Sequence, residues 1–155
     1  MRGKKTEIWE GGHRVPCFIR WPKGGLGKPR DIGGLTQVQD ILPTLMELCS
    51  ISPKKTPTID GISLVPFLKG EKTYLEEKDF TFSETGALHG PFPSPEKSNV
   101  FCIKTSTHKL IFQKDQNEWS LFDLKSDPNE LNNLFGKGLS VENLLKKQLL
   151  TWIKR

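Results

Sequence analysis

Lys4-Lys5-Thr6-Glu7-Ile8-Trp9-Glu10-Gly11-Gly12-His13-Arg14-Val15-Pro16, continued by Cys17-Phe18-Ile19-Arg20-Trp21-Pro22, is the stretch on which the reading of this 155-residue chain rests. Cations lead into a Gly-Gly pair, and the pair leads into a short apolar run. Glycine lets the backbone take positive φ or approach another group closely. The apolar run predicts a strand from Val15 to Ile19. Pro16 has no N–H for a ladder, so the strand belongs at an edge. Pro22 and Gly24-Gly25 end it. A charged loop beside the end of a buried strand is where α/β enzymes place their chemistry.

Outward from this stretch, composition sets the limits. Apolar residues make up 35% and charged residues 26%, which suits a chain with a modest core and a wet surface. The net charge of +5 could favour an anionic substrate or nucleic acid, but acids and bases are interspersed, as on a solvated face. No run approaches the ~18 apolar residues of a membrane span, and no signal-like apolar core stands at the start. The three cysteines, Cys17, Cys49 and Cys102, are far apart and odd in number. They form neither a disulfide framework nor a C-x-x-C metal site. Each lies in an apolar context and reads as a small buried hydrophobe.

Downstream, Val38, Ile41, Leu42, Leu45, Met46 and Leu48 recur at helical spacing over residues 35–50. Pro43 is tolerated in a first turn, and Thr36 or Asp40 could cap the start. Residues 51–61 read as a polar loop and Ser63 to Leu68 as a helical turn stopped at Gly70. The period then changes. Phe80 to Glu84, Asn99 to Lys104, His108 to Gln113 and Glu118 to Leu124 read as strands. The links Thr105-Ser106-Thr107 and 114–117 are of hairpin length, which forces antiparallel pairing. Ser140 opens a terminal helix whose face is Leu144, Leu145, Leu149, Trp152 and Ile153.

The opening stretch resembles a signature region of the sulfatase family, carried here by Lys5, Trp9, Glu10, Gly11, Gly12, Arg14, Pro16, Trp21 and Pro22. Asp40-Ile41-Leu42-Pro43-Thr44-Leu45, Asp60-Gly61-Ile62-Ser63-Leu64 and Phe122-Asp123-Leu124-Lys125-Ser126-Asp127-Pro128-Asn129-Glu130 look like later landmarks of that family, in order. The resemblance covers nearly the whole chain, but only the C-terminal portion of a sulfatase. It implies an α/β part at residues 1–75, a fragment of the large domain, and a small α+β subdomain at 76–155 with an antiparallel sheet and a C-terminal helix. The parent reaction it implies is hydrolysis of a sulfate ester of a small molecule or glycan.

Within that resemblance Lys5 matches the lysine that binds a sulfate oxygen, a task suited to a compact ammonium with three donors. Gly3-Lys4-Lys5-Thr6 is also similar to the end of a P-loop, but the upstream glycine and strand are missing. His13, Glu84 and His89 are the candidates for the rim of the substrate pocket, the last two from a Gly- and Pro-rich excursion after a strand. Glu10 and Arg14 flank the turn and read as groups that lock it by an ion pair or backbone bonds. Trp9 and Trp21 read as packing residues. The family's formylglycine nucleophile arises from a cysteine in Cys-x-Pro-x-Arg, a pattern that none of the three cysteines here satisfies. Its calcium is held by Asp-Asp and Asp-Asn pairs that would precede Met1. The resemblance therefore implies a partner, a missing N-terminal sulfatase segment, and no calcium or activity in this chain alone. Two rivals stay open: a phospho- or phosphonoester hydrolase of the same superfold, and a binding module without catalysis. The compartment is not fixed by the sequence, and the parent's resemblance is compatible with periplasmic, secreted or lysosomal-type export.

Overall fold

The computed structural model describes residues 1–52, 58–72, 79–86 and 98–154. In chain order the elements are a helical turn α1 (Glu10–His13), a 3-10 turn (Val38–Asp40), α2 (Ile41–Leu48), α3 (Val65–Lys69), strands β1 (Thr81–Gly86), β2 (Ser98–Lys104), β3 (His108–Gln113) and β4 (Glu118–Asp123), and α4 (Ser140–Ile153). They form two compact units, Met1–Pro16 with Phe80–Arg155, and Cys17–Asp79.

The first unit is built on a four-stranded antiparallel sheet in the order β1-β2-β3-β4. Its two faces follow from the alternation of side chains along a strand. Ile103 stands opposite Leu110, and Leu110 opposite Leu121. These residues and Phe101 pack on Leu145 and Leu149 of α4, with Trp152 stacked on Phe82 at 5.2 Å. The opposite face carries Cys102, Ile111 and Phe122, and Ile8 covers it with Trp9 beside it. A sheet with both faces covered explains why β2 reads as one continuous apolar run from Val100 to Ile103. The edge at β4 is also occupied. Leu121 N–H donates to Asn133 Oδ1 and Leu134 N–H to the Leu121 carbonyl, which removes a free ladder.

This packing redraws the division expected near residue 75. Residues 1–16 group with the sheet because Ile8, Trp9 and Glu10 are the lid of its second face. The strand expected at Val15–Ile19 is absent: these residues take no regular structure. Val15 and Phe18 are exposed at 74% and 92%. Among the described residues the Cys17–Asp79 unit holds no strand, so nothing within it offers a ladder to pair with. The hairpin links fall where the turn residues place them, with Asn117 at φ +51, a conformation asparagine tolerates. The terminal helix starts one residue off the expected cap, since Leu139 is its N-cap and Ser140 its first residue.

In the second unit, Asp40 organises the turn before α2. Its Oδ2 accepts from Gln37 N–H at 2.7 Å and its Oδ1 from Ile62 N–H at 3.1 Å. Thr44 Oγ1 donates to the Asp40 carbonyl and accepts from Leu64 N–H. Two sequence landmarks, Asp40–Leu45 and Asp60–Leu64, are thus tied by part-buried hydrogen bonds, and Pro43 lies in the first turn of α2. Arg30 donates to the carbonyls of Phe67 and Leu68 at the C-terminal end of α3, where free carbonyls and the helix dipole favour a cation. Among the described residues no helix is long and apolar enough to cross a membrane.

Candidate functional site

The loop from Lys4 to His13 lies at the second face of the sheet. Inside the loop, Glu7 N–H donates to the Lys4 carbonyl at 3.0 Å and Lys4 N–H to Glu7 Oε2 at 3.1 Å. These bonds frame Lys5, which is exposed and forms no ion pair among the described residues. The next residue, Thr6, has φ +76. A β-branched residue is strained there, and such strain persists only where tertiary contacts hold it. One such contact is Thr85 Oγ1 of β1, which donates to the Thr6 carbonyl at 3.1 Å.

The Gly-Gly pair serves close approach. A Cβ on Gly11 would overlap the Gly3 carbonyl, and one on Gly12 the Glu7 carbonyl. Gly11 N–H donates to the Arg2 carbonyl at 2.7 Å, and the Arg2 guanidinium lies 3.6 Å from the centroid of the Trp9 ring. Trp9 in turn meets Phe122 edge to face at 5.7 Å. Packing, as expected from the sequence, is the role of Trp9.

Beneath the loop sits a cluster of charges. Lys104 and Lys109 are register partners on β2 and β3, and their side chains point to the same face. Like charges directly opposite each other are destabilising. Glu10 resolves this: its Oε2 lies 2.7 Å from Lys104 Nζ and its Oε1 3.1 Å from Lys109 Nζ. Glu130 completes the group. Its Oε2 accepts from Glu10 N–H at 2.7 Å, and its Oε1 lies 2.8 Å from Lys109 Nζ. The Oε1 contact is an ion pair by distance without hydrogen-bond alignment. Lys109 and Glu130 are fully buried and Glu10 is 4% exposed. Burial pushes the Glu10 carboxyl up, but the hydrogen bond from Lys104 and the charge of Lys109 outweigh it, so the group titrates below its ordinary value. Glu10 therefore locks the turn through lysines of the sheet. Its backbone carbonyl accepts from Arg14 N–H at 2.8 Å, whereas the Arg14 side chain is exposed.

His13 ends α1 and is half-buried. Burial, then the charge of Lys109, lowers its pKa to about 4, so the ring is neutral at pH 7. Glu84 is exposed on β1, next to the Thr85 that touches Thr6. The structure thus brings the Lys5 loop and the Glu84 end of β1 to one place. His89 lies outside the described residues. A shallow groove beside the loop is lined by Thr6, Glu7, Trp9, Thr85, Val100 and Gln113. Its one carboxylate, Glu7, is engaged by the Lys4 N–H. No three His, Cys, Asp or Glu side chains among the described residues are grouped to hold a metal. Glu10 and Glu130 are committed to lysines, so the donors among the described residues do not fit calcium.

No motif in the sequence marks Lys104, Lys109 or Glu130 as part of this group. The signal was present for Lys109, which keeps the phase of Ile111 and so falls on a buried face.

Residues 4–155 match the family model described as N-sulphoglucosamine sulphohydrolase, C-terminal. The chain belongs to the sulfatase family. This sulfatase chain is 30% identical to an N-acetylglucosamine-6-O-sulfatase of Bacteroides thetaiotaomicron over 138 residues, which is 86% of the chain and 23% of that protein. It is 34% identical to an arylsulfatase of Clostridium perfringens, over 84% of the chain and 25% of that protein. Among solved structures, a 2-O GAG sulfatase matches with a TM-score of 0.56 at 28% identity, covering 74% of the chain and 24% of its own. A protein in complex with its substrate D-glucosamine-2-N,6-O-disulfate matches with a TM-score of 0.52 at 28% identity, covering 74% of the chain and 22% of its own. The sulfatase chain thus spans about a quarter of the length of the curated relatives it matches.

Proposed function

We propose that this chain is the part of a sulfatase that presents Lys5 to the sulfate group of a sulfated sugar. The carrying observation is that Lys5 is exposed, forms no ion pair among the described residues, and lies on a loop fastened to the sheet on both sides, through Thr6 and through Glu10. A fixed ammonium binds a sulfate oxygen with up to three donors. It also stabilises the charge that develops on the leaving oxygen as the ester bond breaks, and a preorganised cation does so without reorganising. His13, neutral at pH 7, and the exposed Glu84 would supply polar contacts at the rim, with His89 as the third rim group. A sulfated sugar is favoured as substrate class by the names of the relatives, an N-acetylglucosamine-6-O-sulfatase and the protein bound to D-glucosamine-2-N,6-O-disulfate. In this reading the nucleophile and the calcium ligands implied by the family come from other sulfatase residues, and residues 1–155 alone do not turn over.

The test is a graft. Residues 4–155 replace the matching quarter of the Clostridium perfringens arylsulfatase, and hydrolysis of an aryl sulfate is measured for the graft, its Lys5→Ala variant and the isolated chain. The expected result is turnover by the graft that depends on Lys5, and none by the isolated chain. Turnover of the isolated chain, or a Lys5→Ala graft as active as its parent, would overturn the proposal.

A further inference from the structure

We infer that Glu130, acting through Lys109 and Glu10, is a positioning residue that sets the place of the Lys5 loop on the sheet. The inference rests on the sulfate-binding reading of Lys5 for its purpose, but its geometry stands apart from that reading. Glu130 reaches the loop across 120 residues of sequence, accepting the Glu10 N–H at 2.7 Å. Its own backbone carbonyl accepts from Arg2 Nη1 at 3.1 Å, so one residue grips the loop on both sides of Lys5. Its second carboxylate oxygen faces Lys109 at 2.8 Å, and Lys109 reaches the Glu10 carboxylate at 3.1 Å. Three groups with no exposure to speak of thus join the loop to the sheet by charge.

The backbone of Glu130 adds an independent observation. It sits at φ +55, in the left-handed region, while being fully buried. Glycine would occupy that conformation without strain. A long acid held there against both steric strain and desolvation points to a need for the carboxylate itself. The side chain has two separate tasks. One oxygen satisfies a backbone donor of α1, and the other balances Lys109, whose ammonium would otherwise face Glu10 alone beside the like charge of Lys104. Apolar contacts of the fold do not require either task, because the α4 face of the sheet packs without them.

Site-resolved amide exchange on the full 155-residue chain tests this. Glu130→Gly relaxes the backbone but removes the carboxylate. Glu130→Gln keeps one acceptor for the Glu10 N–H but turns an amide NH2, a donor, toward Lys109 in place of the second carboxylate oxygen. In Glu130→Gly the Glu10 and Gly11 amides should exchange faster by at least about tenfold more than the Leu110 and Leu121 amides do, since a local opening frees the loop without the core. The Lys5 amide signal should move toward its random-coil position. Glu130→Gln should retain part of the loop protection. Equal acceleration of loop and core amides, or no acceleration of the loop, would overturn the inference. The sulfate reading is judged separately: loop release with an inactive Lys5→Ala graft upholds both, whereas loop release with an active Lys5→Ala graft upholds only the positioning role.

Discussion

Lys104 and Lys109 face each other across neighbouring strands, and the Glu10 carboxylate lies between their ammonium groups at 2.7 and 3.1 Å. The lysines belong to the sheet and the acid to the loop that bears Lys5, so the two opposed ammonium groups of the sheet are bridged by a carboxylate of the loop, and Lys109 meets Glu130 as well. The turn Trp9-Glu10-Gly11-Gly12 is held by charge as well as by the apolar contacts of Ile8 and Trp9.

Removal of Glu10 exposes that dependence. Glu10→Ala leaves two opposed ammonium groups and a buried Lys109 with Glu130 alone. Breaking a buried ion pair from one side costs about 3–5 kcal/mol. Urea unfolding followed by tryptophan fluorescence should show a loss of that order. Removing Lys104 as well should return part of it, with a coupling of about 0.5–3 kcal/mol in the double-mutant cycle. A loss under about 1 kcal/mol for Glu10→Ala, the level of surface pairs, would contradict the clamp.

Acid should loosen the same region in two stages. His13 has a folded pKa lowered to about 4 from 6.5, so the unfolded chain takes up its proton first as pH falls. Stability from this group is complete above about pH 6.5, declines as pH falls toward 4, and declines no further below that. Glu10, also lowered, adds a loss below about pH 4.5. Melting temperature against pH should therefore begin to fall below 6.5, and His13→Gln should remove the upper stage while leaving the lower one. An unchanged upper stage in His13→Gln would assign it to another group.

Thiol reactivity separates the cysteines. Cys17 and Cys49 are exposed, contrary to the apolar burial expected from their neighbours. Cys102 is buried, and burial pushes its thiol up to about 12. The thiolate is the reactive form. A disulfide reagent at pH 8 should titrate Cys17 and Cys49 promptly and Cys102 only in denaturant. Fast reaction of Cys102 in the folded chain would show that the Ile8 side of the sheet opens readily.

In the arylsulfatase graft, Lys5→Ala should lower kcat/KM by roughly tenfold to over a hundredfold, as expected for a charge-assisted bond of about 1.5–3 kcal/mol. Lys4→Ala should cost little, since the loop uses its backbone N–H and carbonyl. Lys5→Arg should restore only part of the activity, because a planar fork does not replace a point charge. Melting temperatures should be nearly equal, as Lys5 is exposed. If Lys4→Ala proves the inactive variant, the assignment within the pair is reversed.

Local chemistry wrote much of this protein directly into its sequence. The period-2 runs, the short links at Thr105–Thr107 and 114–117, and the terminal apolar stripe through Leu145 and Leu149 determined the meander and its covering helix, because hairpin pairing and helix faces depend on neighbours. The order of motifs from Trp9-Glu10-Gly11-Gly12 to Asp127-Pro128-Asn129-Glu130 carried the family. Only the tertiary structure decided the rest. The apolar run Val15–Ile19 promised a strand, yet a strand is made by its partner, and the Cys17–Asp79 unit, which takes the run from Cys17 on, holds no strand among the described residues. The loop of Lys5 joined the sheet because a second apolar face needed Ile8 and two facing lysines needed an acid. Glu10 meets that need from 94 residues before Lys104 and is itself held by Glu130, 120 residues on. Separations of that size leave no periodicity to read, and their energy exists only once the chain has folded.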